Sequence, residues 1–309
     1  MRAPGAGHPA HPRGGRRGRG HPVPGPGARA DRRADGDRGG ADVLRRAGDG
    51  RAAGEVSPVD PVDVVFVHGL FSSPRAWEPM AELLAGDPDL PALRTHFFPY
   101  DSRVVRLRPD RRIPHLNDIA DRLRTYLRDD VGTATRIVLV SHSQGGLVIQ
   151  RFLARTLTRA AGYELAPIRR VVMFACPNSG AEFARSLRRL AIPWRNPQER
   201  ELRPLQETII ETHRALDRGI LNAHAYGPNE WPLHIAAYAG ITDNIVPPIN
   251  ANGLFRAGGV VDGDHFSVIR PKTRADSSYL ALRNEIVSAA TDPGPVSYTH
   301  LTLPTILRV

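Results

Sequence analysis

Between residues 60 and 290 the apolar positions follow two alternating rhythms. Val62-Asp63-Val64-Val65-Phe66-Val67 is a short β-branched run with one polar break, as in a strand buried on both faces. Residues 74–85 read as a helix and Arg94-Thr95-His96-Phe97-Phe98 as a second strand. Over 116–129 the period lengthens, placing Leu116, Ile119, Ala120, Leu123, Tyr126 and Leu127 on one helical face. Arg136–Val140 predicts a third strand, 145–160 a helix, and Arg170–Ala175 a fourth strand. Residues 181–227 are mainly helical in pattern, with breaks at Pro193, Pro197 and Pro204. Two further strands, Leu233–Tyr238 and Leu254–Val261, precede an amphipathic helix at 277–290. Strand alternating with helix at this spacing predicts an α/β fold with a doubly wound, mostly parallel sheet. Reactive groups in such sheets gather in loops beyond the carboxyl ends of the strands.

The two ends of the chain break this rhythm. Residues 1–56 carry 14 of the 29 glycines, many Pro and Arg, and almost no large apolar side chains. Such a segment buries too little surface to offset its ordering entropy, so a disordered extension is expected, or sequence upstream of the true start. It holds twelve arginines against six acids, which accounts for more than half of the formal charge of +10. The net +4 left for the rest of the chain is a weak argument for a polyanionic partner, and no specific nucleic acid is expected. Runs such as Arg16-Arg17-Gly18-Arg19-Gly20 keep an RNA-binding tail as the competing reading. At the other end, residues 295–309, with Pro295-Val296-Ser297-Tyr298-Thr299-His300, read as the one-frame translation of a sequencing adapter and are set aside. The expected domain is therefore 57–294. Cys176, the lone cysteine, can form no intrachain disulfide. With no signal peptide and no apolar stretch long enough to span a bilayer, a cytoplasmic location is expected.

The chemistry centres on Val140-Ser141-His142-Ser143-Gln144-Gly145-Gly146, directly after the third strand and before a helix. A tight strand-to-helix turn there lifts the Ser143 hydroxyl clear of the backbone. Its neighbours must be small to avoid collision, and Ser141, Gly145 and Gly146 meet that need. The helix start also brings free N–H groups and positive dipole to the serine. His68-Gly69-Leu70-Phe71 follows the first strand, where the backbone N–H of Leu70 could join that of Gln144 facing a developing oxyanion.

An alcohol needs a base to take its proton and a carboxylate to hold that base. Asp243 lies in the loop after Leu233–Tyr238, and His265 follows the last strand in Gly263-Asp264-His265-Phe266-Ser267. The order Ser143, Asp243, His265 places each candidate after its own strand. Asp262 and Asp264 remain open as the orienting carboxylate, although both are close in sequence to His265. His142 adjoins the nucleophile, but its side chain is expected to leave the turn in another direction. His96, His115, His213, His224 and His234 read as structural or solvated, and Cys176 as a buried, inert thiol.

Four runs together resemble the α/β-hydrolase superfamily over residues 60–290: Val67–Phe71, Ser141–Gly146, Ala175-Cys176-Pro177-Asn178-Ser179-Gly180 and Gly263–Val268. Within it they resemble lipase/esterase-type members of the PGAP1-like and SERAC1-like group. Ser141 stands where that family's motif usually has glycine. The resemblance implies a serine ester hydrolase, a small-molecule or lipid ester as substrate, and no metal or organic cofactor. It also implies a helical cap or lid over about 181–227. Leu187, Leu190, Ile192 and Trp194 would there line an acyl pocket or simply pack on the sheet. Acyltransferase, thioesterase and amidase chemistry use the same three groups, and a non-catalytic binding module would keep the fold. Oligomeric state is not legible from the sequence.

Overall fold

A computed structural model of the chain describes residues 60–69, 72–100, 116–178, 185–186, 199–248 and 254–295, with the side chains of 199–205 left aside. The N-terminal segment to residue 59, Leu70, Phe71, residues 187–198 and the tail after 295 lie outside these residues. So do the expectations that fall on them.

Six strands form one sheet: β1 (Val62–Val67), β2 (Leu93–Phe97), β3 (Ile137–His142), β4 (Ile168–Phe174), β5 (His234–Gly240) and β6 (Ala257–Val261). Their order is β2-β1-β3-β4-β5-β6, and every neighbouring pair is parallel. The helices are α1 (Glu78–Ala85), α2 (Leu116–Tyr126), α3 (Gln144–Thr158), α4 (Glu199–Leu216) and α5 (Ser277–Thr291). This is the doubly wound α/β architecture that the alternating pattern predicts.

Strand alternation divides the core in two. Val65, Val67, Ile137, Leu139, Val171 and Met173 face α2, α3 and α4. Val64, Phe66, Val138, Val140, Val172 and Phe174 face α1 and α5. Side chains of period two thus feed both layers, which is why these strands read as unbroken apolar runs. The chain runs outward from β1 to β2 with α1 on one face, then back to β3 and onward with α2, α3 and α4 on the other. A crossover keeps its hand only if reversing the direction of travel also reverses the face. The reversal lies between β1 and β3, and in such sheets sites form beyond the carboxyl ends of the strands at that place. His68-Gly69 follows β1 there and Ser143 follows β3.

Within the segment expected as a cap, α4 packs on the core. Ile209 and Leu216 are buried in the cluster that includes α3. Leu187, Leu190, Ile192 and Trp194 lie outside the described residues. The last strand begins at Ala257 rather than at Leu254, and Gly258 there takes a positive φ of 119° against the β5 backbone.

Candidate active site

Ser143 sits in the turn between β3 and α3 with φ 52° and ψ −127°, a left-handed backbone that non-glycine residues rarely adopt. Its N–H donates to the Phe174 carbonyl (3.0 Å), continuing the β3–β4 ladder into the turn, and its own carbonyl accepts from Gly146 N–H (3.0 Å). The turn tolerates this because its neighbours yield space. A Cβ on Gly145 would stand 2.5 Å from the Val67 carbonyl oxygen, and one on Gly69 would stand 2.8 Å from Ser143 Cβ. Two strand ends therefore meet with no room for a side chain between them. Gly146 lies against Cys176, whose sulfur is 3.7 Å from Ser141 Oγ behind the turn. Burial pushes the Cys176 thiol up to about 12, so it stays protonated there.

Three predicted residues converge in one hydrogen-bonded line. His265 Nε2 is 3.1 Å from Ser143 Oγ, and His265 Nδ1 is 2.9 Å from Asp243 Oδ2. A carboxylate only accepts, so Nδ1 carries the proton and Nε2 presents its lone pair to the serine hydroxyl. The other oxygen of Asp243, Oδ1, accepts from the backbone N–H groups of Ile245 (2.7 Å) and Val246 (2.8 Å). Ser143, His265 and Asp243 are 4%, 2% and 3% exposed, so the line lies almost wholly out of water, where electrostatic interactions strengthen. The Asp243 loop is drawn against the His265 loop by Thr242 N–H donating to Gly263 O (3.1 Å). Ser186 Oγ also reaches the Ile245 carbonyl from the segment after β4 (3.3 Å).

The competing carboxylates are occupied elsewhere. Asp264 Oδ1 accepts from the N–H groups of Phe266 (2.9 Å) and Ser267 (2.8 Å) and from Ser267 Oγ, which hold its carboxyl below the usual range. Asp262 accepts from Ser277 Oγ (2.8 Å). Neither bonds the His265 ring.

Gln144 opens α3, so its backbone N–H has no carbonyl one turn earlier to meet. Its side-chain Oε1 is buried without a partner among the described residues. Leu70, the other expected oxyanion donor, lies outside the described residues, but the turn leading to it is held firmly. His68 is buried, stacks on Tyr100 with ring centroids 4.3 Å apart, donates from Nδ1 to Gly69 O, and accepts the Tyr100 hydroxyl on its carbonyl. Burial lowers the His68 pKa and raises that of Tyr100.

Other histidines stand away from this line. His96 bonds Asp63, His213 bonds Gln150 and His234 pairs with Glu285, whereas His224 is exposed. His115 lies outside the described residues. His142 does leave the turn on the opposite face from Ser141. It does not end in solvent, however, because its Nε2 lies 2.6 Å from the backbone carbonyl of His265. Sequence reading missed this contact and the support from Tyr100. Alternation along β3 could have indicated the face of His142, but not what it would meet there. A cavity of about 510 Å³ opens at the amino ends of β4, β5 and β6 and touches none of the candidate residues.

A family model described as "Alpha/beta hydrolase family" matches residues 64–285. Solved structures with similar folds include an extracellular alpha/beta-hydrolase from a Paenibacillus species, 14% identical, TM-score 0.41, covering 75% of this chain and 100% of that one. Another is the RedJ thioesterase of prodiginine biosynthesis from Streptomyces coelicolor, 15% identical, TM-score 0.45, covering 77% of this chain and 91% of its own. No curated protein matches the sequence.

Proposed function

The chain belongs to the α/β-hydrolase family, and from that premise we propose that it is a serine hydrolase cleaving carboxylic esters, lipid-like esters among them, through an acyl-enzyme on Ser143. The observation that carries this reading is the line Asp243–His265–Ser143, with both contacts at hydrogen-bond distance. The kinship with PGAP1-like and SERAC1-like lipases is part of the same proposal and rests on the four motif runs alone. So does the helical cap over 181–227.

In this reading His265 Nε2 takes the Ser143 proton as Oγ bonds the ester carbonyl carbon. The carbonyl electron pair moves to oxygen, which the N–H groups of Gln144 and Leu70 would receive. Collapse of that oxyanion breaks the bond to the alkoxide, which leaves with the proton from His265. Water then repeats the sequence: His265 takes its proton, its oxygen bonds the acyl carbon, and Ser143 departs with the proton. Asp243 holds the Nδ1 proton throughout and stabilises the imidazolium as it forms. Its second oxygen is satisfied by neutral N–H donors, which leaves its charge for His265.

Fluorophosphonate labelling of the full chain, alongside p-nitrophenyl esters of several acyl lengths, tests the proposal. Wild type should label and turn over, and Ser143→Ala should do neither, with a loss in kcat of about 10⁶-fold. Labelling that persisted in Ser143→Ala would overturn it. Among the described residues no helix is long and apolar enough to cross a membrane.

A further inference from the structure

We infer that His142 is a positioning residue: its Nε2–H, donated to the backbone carbonyl of His265, ties the base to the strand that carries the nucleophile. The catalytic consequence rests on the serine-hydrolase reading, whereas the geometry stands without it.

His142 is the last residue of β3 and the covalent neighbour of Ser143. Alternation places it with Val138 and Val140 on the α1/α5 face of the sheet. Its ring meets Trp77 edge-on there, with centroids 6.5 Å apart, and tilts over the His265 ring at 4.9 Å. The contact from Nε2 to the His265 carbonyl is 2.6 Å. A carbonyl oxygen can only accept, so the proton must sit on Nε2 and Nδ1 is left as a lone pair. That Nδ1 is buried without a partner among the described residues, 3.2 Å from where a Gly69 Cβ would stand. A larger residue at 69 would thus crowd the imidazole as well as the turn.

The ring is 3% exposed. Burial pushes its pKa down to about 3, outweighing the hydrogen bond to the His265 carbonyl, and the nearby Arg270 guanidinium acts in the same direction as burial. It therefore stays neutral at working pH and keeps its single N–H on the carbonyl.

His265 is consequently held at three points. Asp243 grips Nδ1, Ser143 faces Nε2, and His142 takes the main-chain carbonyl. Two of these come from consecutive residues of one rigid turn, so the distance from base to nucleophile is set by a single backbone segment. They also differ in when they operate. Once Ser143 Oγ is acylated it has no proton to donate, and its contact with Nε2 is lost. The bond from His142 involves no reacting atom and persists. It is the tether from β3 that keeps the base in place while water attacks the acyl-enzyme. A misplacement of about 1 Å can cost on the order of 10²-fold in rate, so losing this tether should fall mainly on deacylation.

The test uses the full chain with p-nitrophenyl acetate and pre-steady-state kinetics. His142→Phe keeps a ring of similar shape without the donor, and His142→Gln restores a neutral N–H at similar reach. His142→Phe should slow deacylation about 10- to 100-fold. The acyl-enzyme should then accumulate, so that kcat and KM fall together while the burst of p-nitrophenol remains. His142→Gln should recover most of the loss. Wild-type deacylation in His142→Phe, or no recovery in His142→Gln, would overturn the inference. Should His142→Phe not fold, imidazole ¹⁵N spectra of the wild-type chain decide. His142 should be neutral and protonated on Nε2 from pH 5 to about 8, well above its depressed pKa. A proton on Nδ1, or titration within that range, would sink the inference. These spectra need no turnover, so failure here is separate from failure of the hydrolase reading, which a wild type that neither labels nor cleaves esters would signal.

Discussion

Toward opposite ends of the sheet, two buried aspartates each hold a histidine, and the pairs differ in what else binds the carboxylate. Beyond β5, Asp243 meets His265 Nδ1 at 2.9 Å and fills its other oxygen with two backbone N–H groups. Near the start of β1, Asp63 meets His96 Nε2 at 2.7 Å but also takes Arg94 on both oxygens, at 2.8 and 2.6 Å. Both carboxylates are fully buried. At Asp63 a guanidinium already neutralises the charge, and no serine faces His96 among the described contacts. At Asp243 the donors are neutral, so the negative charge is directed at one imidazole, whose far nitrogen faces a hydroxyl. An Asp–His pair is thus a structural clasp when a fixed cation shares it. It becomes a device for moving protons when the histidine is the only group able to carry the positive charge.

Between the two clasps, the largest expected effect comes from removing that charge where it acts. Asp243→Asn keeps an acceptor for the Ile245 and Val246 N–H groups but no longer stabilises the imidazolium or enforces its tautomer. The rate of ester turnover should drop about 10⁴-fold with the fold intact by circular dichroism. The same change at Asp63 should leave the fluorophosphonate labelling rate within about two-fold, since His96 touches no reacting group. An equal loss at both sites would erase the distinction.

Removing the cation from the clasp comes next. Arg94→Leu leaves the Asp63 carboxylate buried with His96 as its remaining partner. Unfolding in urea should show a loss of about 2–4 kcal/mol, discounted from a fully buried pair because the Arg94 side chain is half exposed. Unchanged stability would mean that Arg94 contributes nothing beyond solvent-screened attraction.

The last effect is a slope, small over any one pH unit. His142 belongs to the site end, and its pKa falls from 6.5 to about 3 on burial. The unfolded chain binds a proton there between those values and the folded chain does not. Stability is therefore complete above about pH 6.5 and declines as pH falls toward 3. One such proton gives at most about 1.4 kcal/mol per pH unit. Urea midpoints measured from pH 7 to about 4 should show this decline in wild type and a shallower one in His142→Phe. Identical slopes would show that His142 is not the group responsible.

Much of this architecture was legible in the chain because it depends on local periodicity. Runs such as Val62–Val67 and Ile137–Val140 announce strands buried on both faces, and the 3.6-residue spacing from Leu116 announces α2. The serine turn was legible for a similar reason: small residues at 141, 145 and 146 are a local steric requirement. Boundaries were less so. Ser141 and His142 extend β3 as far as the candidate serine, because pairing with Met173 and Phe174 continues the ladder past the apolar run.

By itself, the sequence determined which elements form, in what order, and that Ser143, Asp243 and His265 each follow a strand, since backbone periodicity and turn sterics act over a few residues. Chain order favoured Asp243 and left Asp262 and Asp264 open, and tertiary structure decided which carboxylate meets His265. Asp264 is its immediate neighbour yet spends its oxygen on the Phe266 and Ser267 N–H groups, whereas Asp243, 22 residues away, is delivered by the parallel pairing of β5 with β6. It likewise decided that His142 reaches the His265 carbonyl and that Arg94 closes the other clasp. Those contacts depend on which strand ends lie side by side. That is a property of strand order, and no spacing along the chain encodes it.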